Sequence, residues 1–161
     1  LYARGLSTPE AARAFISGQF ERVDPFALRD MDAAVARIAR AIEGGERIAV
    51  YGDYDCDGVT SCALLVTALK SLGASVSPYI PNRFEEGYGL NAGALDLLKG
   101  QGVGLVITVD CGARARREAD YARAIGLDLI ISDHHELDAR IARIRSSCWP
   151  AWAWPFGWPN A

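Results

Sequence analysis

Acidic and histidine side chains follow three of the short apolar segments in this sequence. Three Asp lie in the D-x-D-x-D-G run at 53–58, one Asp follows the apolar run 105–109, and Asp-His-His follows the run 129–131. If the runs are parallel strands, these side chains meet at one edge of a sheet, where such folds bind ligands. The candidate residues are Asp53, Asp55, Asp57, Asp110, Asp133, His134 and His135.

This residue set indicates a metal centre. Carboxylates are hard oxygen ligands, and an added imidazole shifts the preference from Mg²⁺ toward Mn²⁺. So many acids in one small site would repel one another unless divalent cations were bound. Two cations bridged by a carboxylate, roughly 3.5–4 Å apart, activate water and stabilise an in-line displacement at phosphorus. The residues alone therefore predict a two-metal phosphoesterase or phosphoanhydride hydrolase.

Each cluster also has a purely structural interpretation. An Asp at a strand end often only caps the next helix, and an isolated His is usually a core residue. The D-x-D-x-D-G run also matches the start of an EF-hand loop. That loop requires a bidentate Glu at its twelfth position, which is Leu64 here, and a helix rather than a strand before it. A calcium loop is therefore excluded.

The elements that must position these residues follow from periodicity. Continuous apolar runs separated by helical segments are typical of a parallel sheet covered on both faces, which places the chain in the α/β class. Strands are expected at 47–51, 76–80, 105–109 and 129–131, and helices at 60–72, 91–99 and 114–125. Residues 1–45 are expected to form an N-terminal helical segment, residues 46–138 an incomplete α/β domain, and residues 139–161 an aberrant tail.

Helix starts and buried faces can be predicted in the same way. Ser7-Thr8-Pro9-Glu10 is typical of a capping box that opens a helix. A second helix is expected to bury Met31, Val35, Ile38 and Ile42. The helix 60–72 is expected to be apolar at Ala63, Leu64, Ala68 and Leu72, and Thr60 and Ser61 at its start could offer N–H groups to a phosphate.

Composition excludes several classes of protein. The chain has 161 residues and a net charge of −3, with 50% hydrophobic and 23% charged residues. These values exclude a disordered chain, a coiled coil and a collagen-like polymer. No run approaches the roughly 20 apolar residues of a membrane span. The four Cys have no C-x-x-C spacing, so we expect free thiols in a reducing cytoplasm rather than a zinc knuckle or a disulfide framework.

Four motifs follow one another along the chain: Tyr51 to Thr60 (YGDYDCDGVT), Pro81-Asn82-Arg83 with Glu86 to Leu90 (EGYGL), Thr108 to Gly112 (TVDCG), and Asp133 to Glu136 (DHHE). Together they resemble those of the DHH phosphoesterase superfamily, and specifically its RecJ branch of single-stranded-DNA exonucleases. Members of the pyrophosphatase and oligonucleotide-phosphatase branches carry a His four residues before the first ligating Asp, whereas this chain has Tyr51 there.

The resemblance implies a role for each candidate residue. Asp55 and Asp57 would each hold one metal ion, Mn²⁺ or Mg²⁺, and Asp110 would bridge the two ions. His134 would share the ion held by Asp57. The remaining implied roles are orientation of the ligands for Asp53 and Asp133, contact with the scissile phosphate for His135, and capture of the 5′ phosphate for Arg83. Arg83 could instead be a loop residue paired with a carboxylate.

The resemblance also implies partners and leaves alternatives. Single-stranded DNA would be the substrate, degraded 5′→3′ in repair and recombination, with a repair helicase and a single-strand-binding protein as partners. We expect a cytoplasmic, monomeric protein without membrane contact. The alternatives are another DHH phosphoesterase, acting on oligonucleotides or pyrophosphate, or a non-catalytic remnant that only binds metal.

The last residues depart from the family pattern. All four Trp and three of the seven Pro lie between residues 149 and 159. Since Trp has a single codon, the neighbouring reading frame is largely dictated, and it can encode a string similar to the downstream part of RecJ proteins. We therefore expect a truncated chain with a frameshifted tail, weak manganese binding and little nuclease activity. A proline-rich docking tail or an aromatic membrane-interface patch are the alternatives for this segment.

Overall fold

Four parallel strands alternate with helices in a computed structural model of the chain, which describes residues 2–18, 24–84 and 87–135. The predicted tail 139–161 and the end of the predicted α/β domain lie outside these residues. Two short 3-10 turns span Tyr2–Arg4 and Pro25–Ala27. The main elements are α1 (Pro9–Ile16), α2 (Met31–Glu43), β1 (Arg47–Gly52), α3 (Cys56–Ser71), β2 (Ser75–Tyr79), α4 (Ala92–Gly100), β3 (Val103–Val109), α5 (Arg116–Ala124) and β4 (Asp128–Ser132).

The sheet has the order β2-β1-β3-β4 with every pair parallel, which confirms the predicted fold class. In the register, Tyr51 pairs with Thr108, and Thr108 pairs with Ile131. The ends of β1, β3 and β4 are therefore level with one another. The three loops that carry the candidate residues consequently leave the sheet side by side.

Residues of β1 alternate between two hydrophobic cores, one on each face of the sheet. Ala49 and Tyr51 belong to the core under α4 and α5. Ile48 and Val50 belong to the core under α2 and α3. Because both faces are covered, β1 shows a continuous apolar run instead of alternation, and this is why its sequence predicts a buried parallel strand.

The predicted start of α3 is wrong, and the apolar residues named for it do not face the core. The helix begins at Cys56 rather than Thr60, because Asp55 caps it, so Thr60 and Ser61 are not at its start. The Thr60 hydroxyl donates to the Cys56 carbonyl. Helix α3 is apolar almost all round, so its sequence does not reveal which face is inward. The four apolar residues named from the sequence, Ala63, Leu64, Ala68 and Leu72, are exposed, whereas Gly58, Cys62, Val66 and Leu69 are buried.

The two N-terminal helices form where expected, with corrections in detail. Thr8 rather than Ser7 is the N-cap of α1 and accepts a hydrogen bond from the Ala11 N–H, because Pro9 occupies the first helical position. In α2, Val35 is 45% exposed and the fully buried residue is Ala41. The packing face is therefore rotated from the predicted stripe, although Ile38 and Ile42 still contact the core. Among the described helices, none combines the length and apolar character needed to cross a bilayer.

Gly58 lets α3 approach the loop that follows β1. A Cβ at this position would lie 2.5 Å from the backbone nitrogen of Asp53, which cannot move independently of the loop. We expect Gly58→Ala to lower the free energy of unfolding by about 1–3 kcal/mol through overpacking. The measurement is urea denaturation of the purified chain. The matched control is Gly100→Ala at the end of α4, where a Cβ meets nothing within 4 Å. An equal loss of stability in both variants would contradict this interpretation.

Candidate metal centre

The loop after β1 presents two carboxylates in different states of burial. Asp53 is 2% exposed, and its Oδ1 accepts a hydrogen bond from the Tyr54 N–H. Asp55 is exposed and caps α3: its Oδ1 accepts from the N–H groups of Asp57 at 2.9 Å and Gly58 at 3.0 Å. Carboxylate oxygens of Asp53, Asp55 and Asp110 all lie within 4.8 Å of one another. Three acids from two loops thus form one potential ligand group.

Asp110 is the central and most constrained of these acids. Its φ of 63° lies in the left-handed region, which non-glycine residues rarely adopt and which is often found at functional sites. Its N–H donates to the Ser132 carbonyl at 3.0 Å. Both its carboxylate oxygens are buried and, among the described residues, accept no hydrogen bond. His134 Nε2 lies 2.7 Å from Oδ1, but without the alignment of a hydrogen bond.

The electrostatic environment of the Asp110 carboxylate favours a bound cation. Burial, and then the nearby negative charge of Asp55, raise the pKa of Asp110, while His134 acts in the opposite direction. The backbone hydrogen bond from Gly58 lowers the pKa of Asp55 against the effect of burial. A buried carboxylate with two unsatisfied oxygens and an acidic neighbour is costly in isolation. A divalent ion would supply both the missing charge and the missing contacts, so these residues fit the predicted metal.

The third loop places both histidines beside Asp110. Ligating atoms of Asp110, His134 and His135 lie within 4.8 Å of one another, forming a second group that shares Asp110 with the first. Asp110 is therefore at the position expected of a residue that bridges two ions. Its sharing by both groups supports the predicted bridging role, which stays a prediction.

Asp133 holds His135 and the loop around it. Its Oδ1 accepts from the His135 N–H at 3.0 Å and lies 2.7 Å from His135 Nδ1, while Oδ2 accepts from the Ala113 N–H at 2.8 Å. Burial alone would raise the pKa of Asp133, but the hydrogen bonds from His135 and Ala113 outweigh it and lower that pKa. Burial by itself would lower the pKa of His135, but the hydrogen bond with Asp133 and the charge of that carboxylate outweigh burial and raise the pKa. A proton on Nδ1 leaves Nε2 free to act as a ligand or to contact a phosphate.

Asp57 is placed differently from the other predicted ligands. It lies in the first turn of α3, is exposed, and joins neither of the two ligand groups found among the described residues. With the helix predicted to start at Thr60, the whole D-x-D-x-D run would lie in a loop. In the structure Asp55 caps α3, so the helix begins before Asp57. The predicted metal role of Asp57 stays a prediction.

Tyrosines beside the metal centre were not among the predicted site residues. Tyr88 lies edge-on to His135 with 6.3 Å between ring centroids. Burial, followed by the charges of Asp53 and Asp133, raises the pKa of Tyr88 to about 12, so its phenol is neutral at physiological pH. Arg83 lies over the Tyr54 ring at 5.2 Å, and no described carboxylate forms an ion pair with it. Tyr54 and Tyr88 both lie within the motifs quoted above, and that position is the sequence signal that could have identified them.

Tyr51 anchors the loop that carries Tyr88. It is fully buried at the centre of the sheet, stacks on Tyr79 with 5.1 Å between centroids, and donates its hydroxyl to the Gly89 carbonyl at 2.8 Å. The Asn91 side chain donates to the same hydroxyl at 3.3 Å. The residue that distinguishes the two branches of the superfamily in sequence is therefore a structural support for a neighbouring loop.

We expect Tyr51→Phe to lower the free energy of unfolding by about 1–3 kcal/mol, because it leaves the buried Gly89 carbonyl without its donor. Chemical denaturation monitored by circular dichroism measures the effect. Tyr121→Phe is the control: it removes a hydroxyl that donates to Asp96 on the protein surface, where water replaces the lost bond. A larger loss in Tyr121→Phe than in Tyr51→Phe would contradict this assignment.

Asp110→Asn separates metal binding from folding. Removing the buried charge is expected to stabilise the metal-free chain by about 1 kcal/mol or more, since Asn tolerates a left-handed φ and carries no charge to desolvate. Asp55→Ala is expected to destabilise the chain, because it removes the cap of α3. Thermal unfolding in EDTA measures both effects, and titration calorimetry with Mn²⁺ should show weakened binding in both variants. Stability changes of the same sign would contradict the prediction.

Comparison with known proteins agrees with this geometry. The family model described as "DHH family, N-terminal domain" matches residues 47–148. The single-stranded-DNA-specific exonuclease RecJ of Bacillus subtilis is 44% identical over 151 residues, which are 93% of this chain and 19% of that protein. The chain therefore spans about a fifth of the length of this relative.

Two solved structures resemble the chain at the level of the backbone. A crystal structure of exonuclease RecJ bound to manganese has 40% identity and a TM-score of 0.64, covering 69% of this chain and 29% of the other. RecJ from Thermus thermophilus in complex with Mn²⁺ has 27% identity and a TM-score of 0.64, covering 87% of this chain and 20% of the other. The fold is thus shared with proteins whose solved structures hold manganese.

Proposed function

The chain belongs to the DHH family, and from that premise we propose that it carries the metal centre of a RecJ-type exonuclease, which hydrolyses single-stranded DNA from the 5′ end with Mn²⁺ or Mg²⁺. One observation above all supports this proposal: the buried Asp110 carboxylate accepts no hydrogen bond among the described residues, yet it belongs to two groups of potential ligands. A carboxylate in that position is suited to bridging two cations.

The residues present suggest which side chains would bind the metal and which would support them. Asp55, Asp110 and His134 would hold the metal, together with Asp57 as the sequence motif implies. Bound metal would polarise the phosphodiester and lower the pKa of water. Buried Asp53 adds negative charge beside the ligands.

The other predicted residues would act on the DNA. Asp133 orients His135 through a 2.7 Å contact, so that the free imidazole nitrogen can contact the scissile phosphate. Arg83 would bind the 5′ phosphate, a task for which a guanidinium fork is well suited. A 5′-phosphate contact at one end of the site would give the enzyme its direction.

The biological setting is proposed with the activity. Removal of single strands from their 5′ ends serves DNA repair and recombination, and it needs strands that are exposed by unwinding and kept open. We therefore propose a repair helicase and a single-strand-binding protein as partners, and the cytoplasm as the location. The chemistry of the site requires only the DNA strand and the metal.

Metal binding and hydrolysis test the proposal separately. The chain is titrated with Mn²⁺ by calorimetry and incubated with 3′-labelled, 5′-phosphorylated single-stranded DNA. Asp110→Ala should weaken Mn²⁺ binding and lower any hydrolysis by about 100-fold or more, because the bridging ligand is lost. Asp120→Ala, which removes an exposed carboxylate on α5, is the control and should leave both unchanged.

The outcomes distinguish the alternatives. Release of mononucleotides from the 5′ end, abolished by Asp110→Ala, supports the exonuclease. Hydrolysis of pyrophosphate or short oligonucleotides in preference to long strands indicates another DHH phosphoesterase. Mn²⁺ binding without hydrolysis indicates a metal-binding remnant, and Mn²⁺ binding that survives Asp110→Ala contradicts the proposed metal centre.

A further inference from the structure

A buried hydroxyl lies near the end of β3, two residues before Asp110. Apart from Tyr51 and the cysteines, three polar or charged residues are buried in the described part of the chain, and they are Asp53, Asp110 and Thr108. The two acids belong to the candidate metal centre. Thr108 lies in a strand whose other residues are apolar or glycine, where Val would fill the same space without a polar group to desolvate. The hydroxyl of Thr108 therefore requires a partner.

The partner of this hydroxyl belongs to the turn that carries Asp110. Thr108 Oγ1 donates a hydrogen bond to the Cys111 carbonyl at 2.8 Å, which connects the end of β3 to the residue that follows Asp110. Asp110 lies between the two bonded residues, with its left-handed φ of 63°. Thr108 and Cys111 are both fully buried, so water does not compete for the bond. The bond thus closes a ring around a residue whose backbone is strained.

Gly112 packs the same turn against the hydroxyl. A Cβ on Gly112 would lie 3.1 Å from Thr108 Oγ1 and 3.2 Å from Cγ2 of Ile131. The φ of Gly112 is +104°, which residues with a Cβ rarely adopt. The turn therefore lies directly on the Thr108 side chain and on β4, and its backbone has little room to shift while both remain in place.

Hydrogen bonds fix the turn on both sides of the Thr108 contact. On one side, the Asp110 N–H donates to the Ser132 carbonyl at 3.0 Å. On the other side, the Ala113 N–H donates to Oδ2 of Asp133 at 2.8 Å. Both of these attachments come from β4 and the residue after it. Thr108 supplies the attachment between them, and it comes from the strand that carries Asp110 itself.

We propose that Thr108 is a positioning residue of the metal centre, whose hydroxyl holds the Asp110 carboxylate at the point shared by the two groups of potential ligands. The proposal rests on the proposed function, since it takes the divalent metal as the ligand. Without a metal ion, burial and the charge of Asp55 both disfavour an ionised carboxylate at this point. The bond from Thr108 opposes a movement of Asp110 away from it. An arriving ion then meets a ligand that is already in place, and its binding does not have to order the turn.

The test compares substitutions of Thr108 by calorimetric titration of the full chain with Mn²⁺. Thr108→Val keeps the shape of the side chain without the hydroxyl, and it should weaken Mn²⁺ binding about 10- to 100-fold, as loss of a hydrogen bond that orients a metal ligand does. Thr108→Ser keeps the hydroxyl and should retain most of the affinity. Ile48→Val is the matched control, since it trims a buried side chain at the other end of β1 and should leave Mn²⁺ binding unchanged.

Each outcome decides the proposal. Circular dichroism first shows which variants are folded, and Thr108→Ala, which also lacks the hydroxyl, replaces Thr108→Val if that variant is not. Wild-type affinity in the variant without the hydroxyl overturns the positioning role and leaves the proposed function standing. An equal loss in Thr108→Ser or in Ile48→Val also overturns it, because the loss then follows from a disturbed core. A wild-type chain that binds no Mn²⁺ contradicts the proposed metal centre, and the role of Thr108 with it.

Discussion

Burial of the Asp110 carboxylate beside a second acid, Asp55, is the constraint that the surrounding elements of this fold must accommodate. Asp110 is buried next to Asp55 and Asp53, and its own oxygens accept no hydrogen bond from the described residues. The surrounding elements hold it there: β3 delivers it to the edge of the sheet, and a hydrogen bond to the Ser132 carbonyl fixes its backbone. The two hydrophobic cores supply the stability that offsets the cost of a charged, unsatisfied group.

Neighbouring polar groups limit that cost by donating hydrogen bonds to the surrounding acids Asp53, Asp55 and Asp133. Asp55 accepts two backbone hydrogen bonds at the start of α3, and Asp133 accepts bonds from His135 and Ala113. Asp53 accepts one from Tyr54. The unsatisfied charge is thereby concentrated at Asp110, where histidines and carboxylates from three loops meet. A cation bound at this point, as proposed above, would relieve the buried charge and supply the chemistry together.

The sequence was most informative where one physical rule acted alone. Short apolar segments identified four strands, of which β1, β3 and β4 carry buried residues, and the rule that ligands bind beyond strand ends located Asp110 and His134. Prediction from the sequence failed where two physical rules competed. In α3 an almost uniformly apolar sequence does not reveal the inward face, and Leu64, as apolar as its buried neighbours, is exposed. The position of Asp57 depends on the cap formed by Asp55, and the anchoring of Tyr88 depends on a tertiary hydrogen bond from Tyr51. Neither has a local signal.

The cap of α3 has a consequence for ion discrimination. Both backbone N–H groups bind the same oxygen of Asp55, Oδ1. The carboxylate plane is therefore fixed by the helix, and Oδ2 has a set direction before any ion arrives. A ligand that cannot swing inward or outward favours ions of matching radius over larger or smaller ones. If Asp55 binds the ion as proposed, the first turn of α3 would limit the radius of the ion that fits.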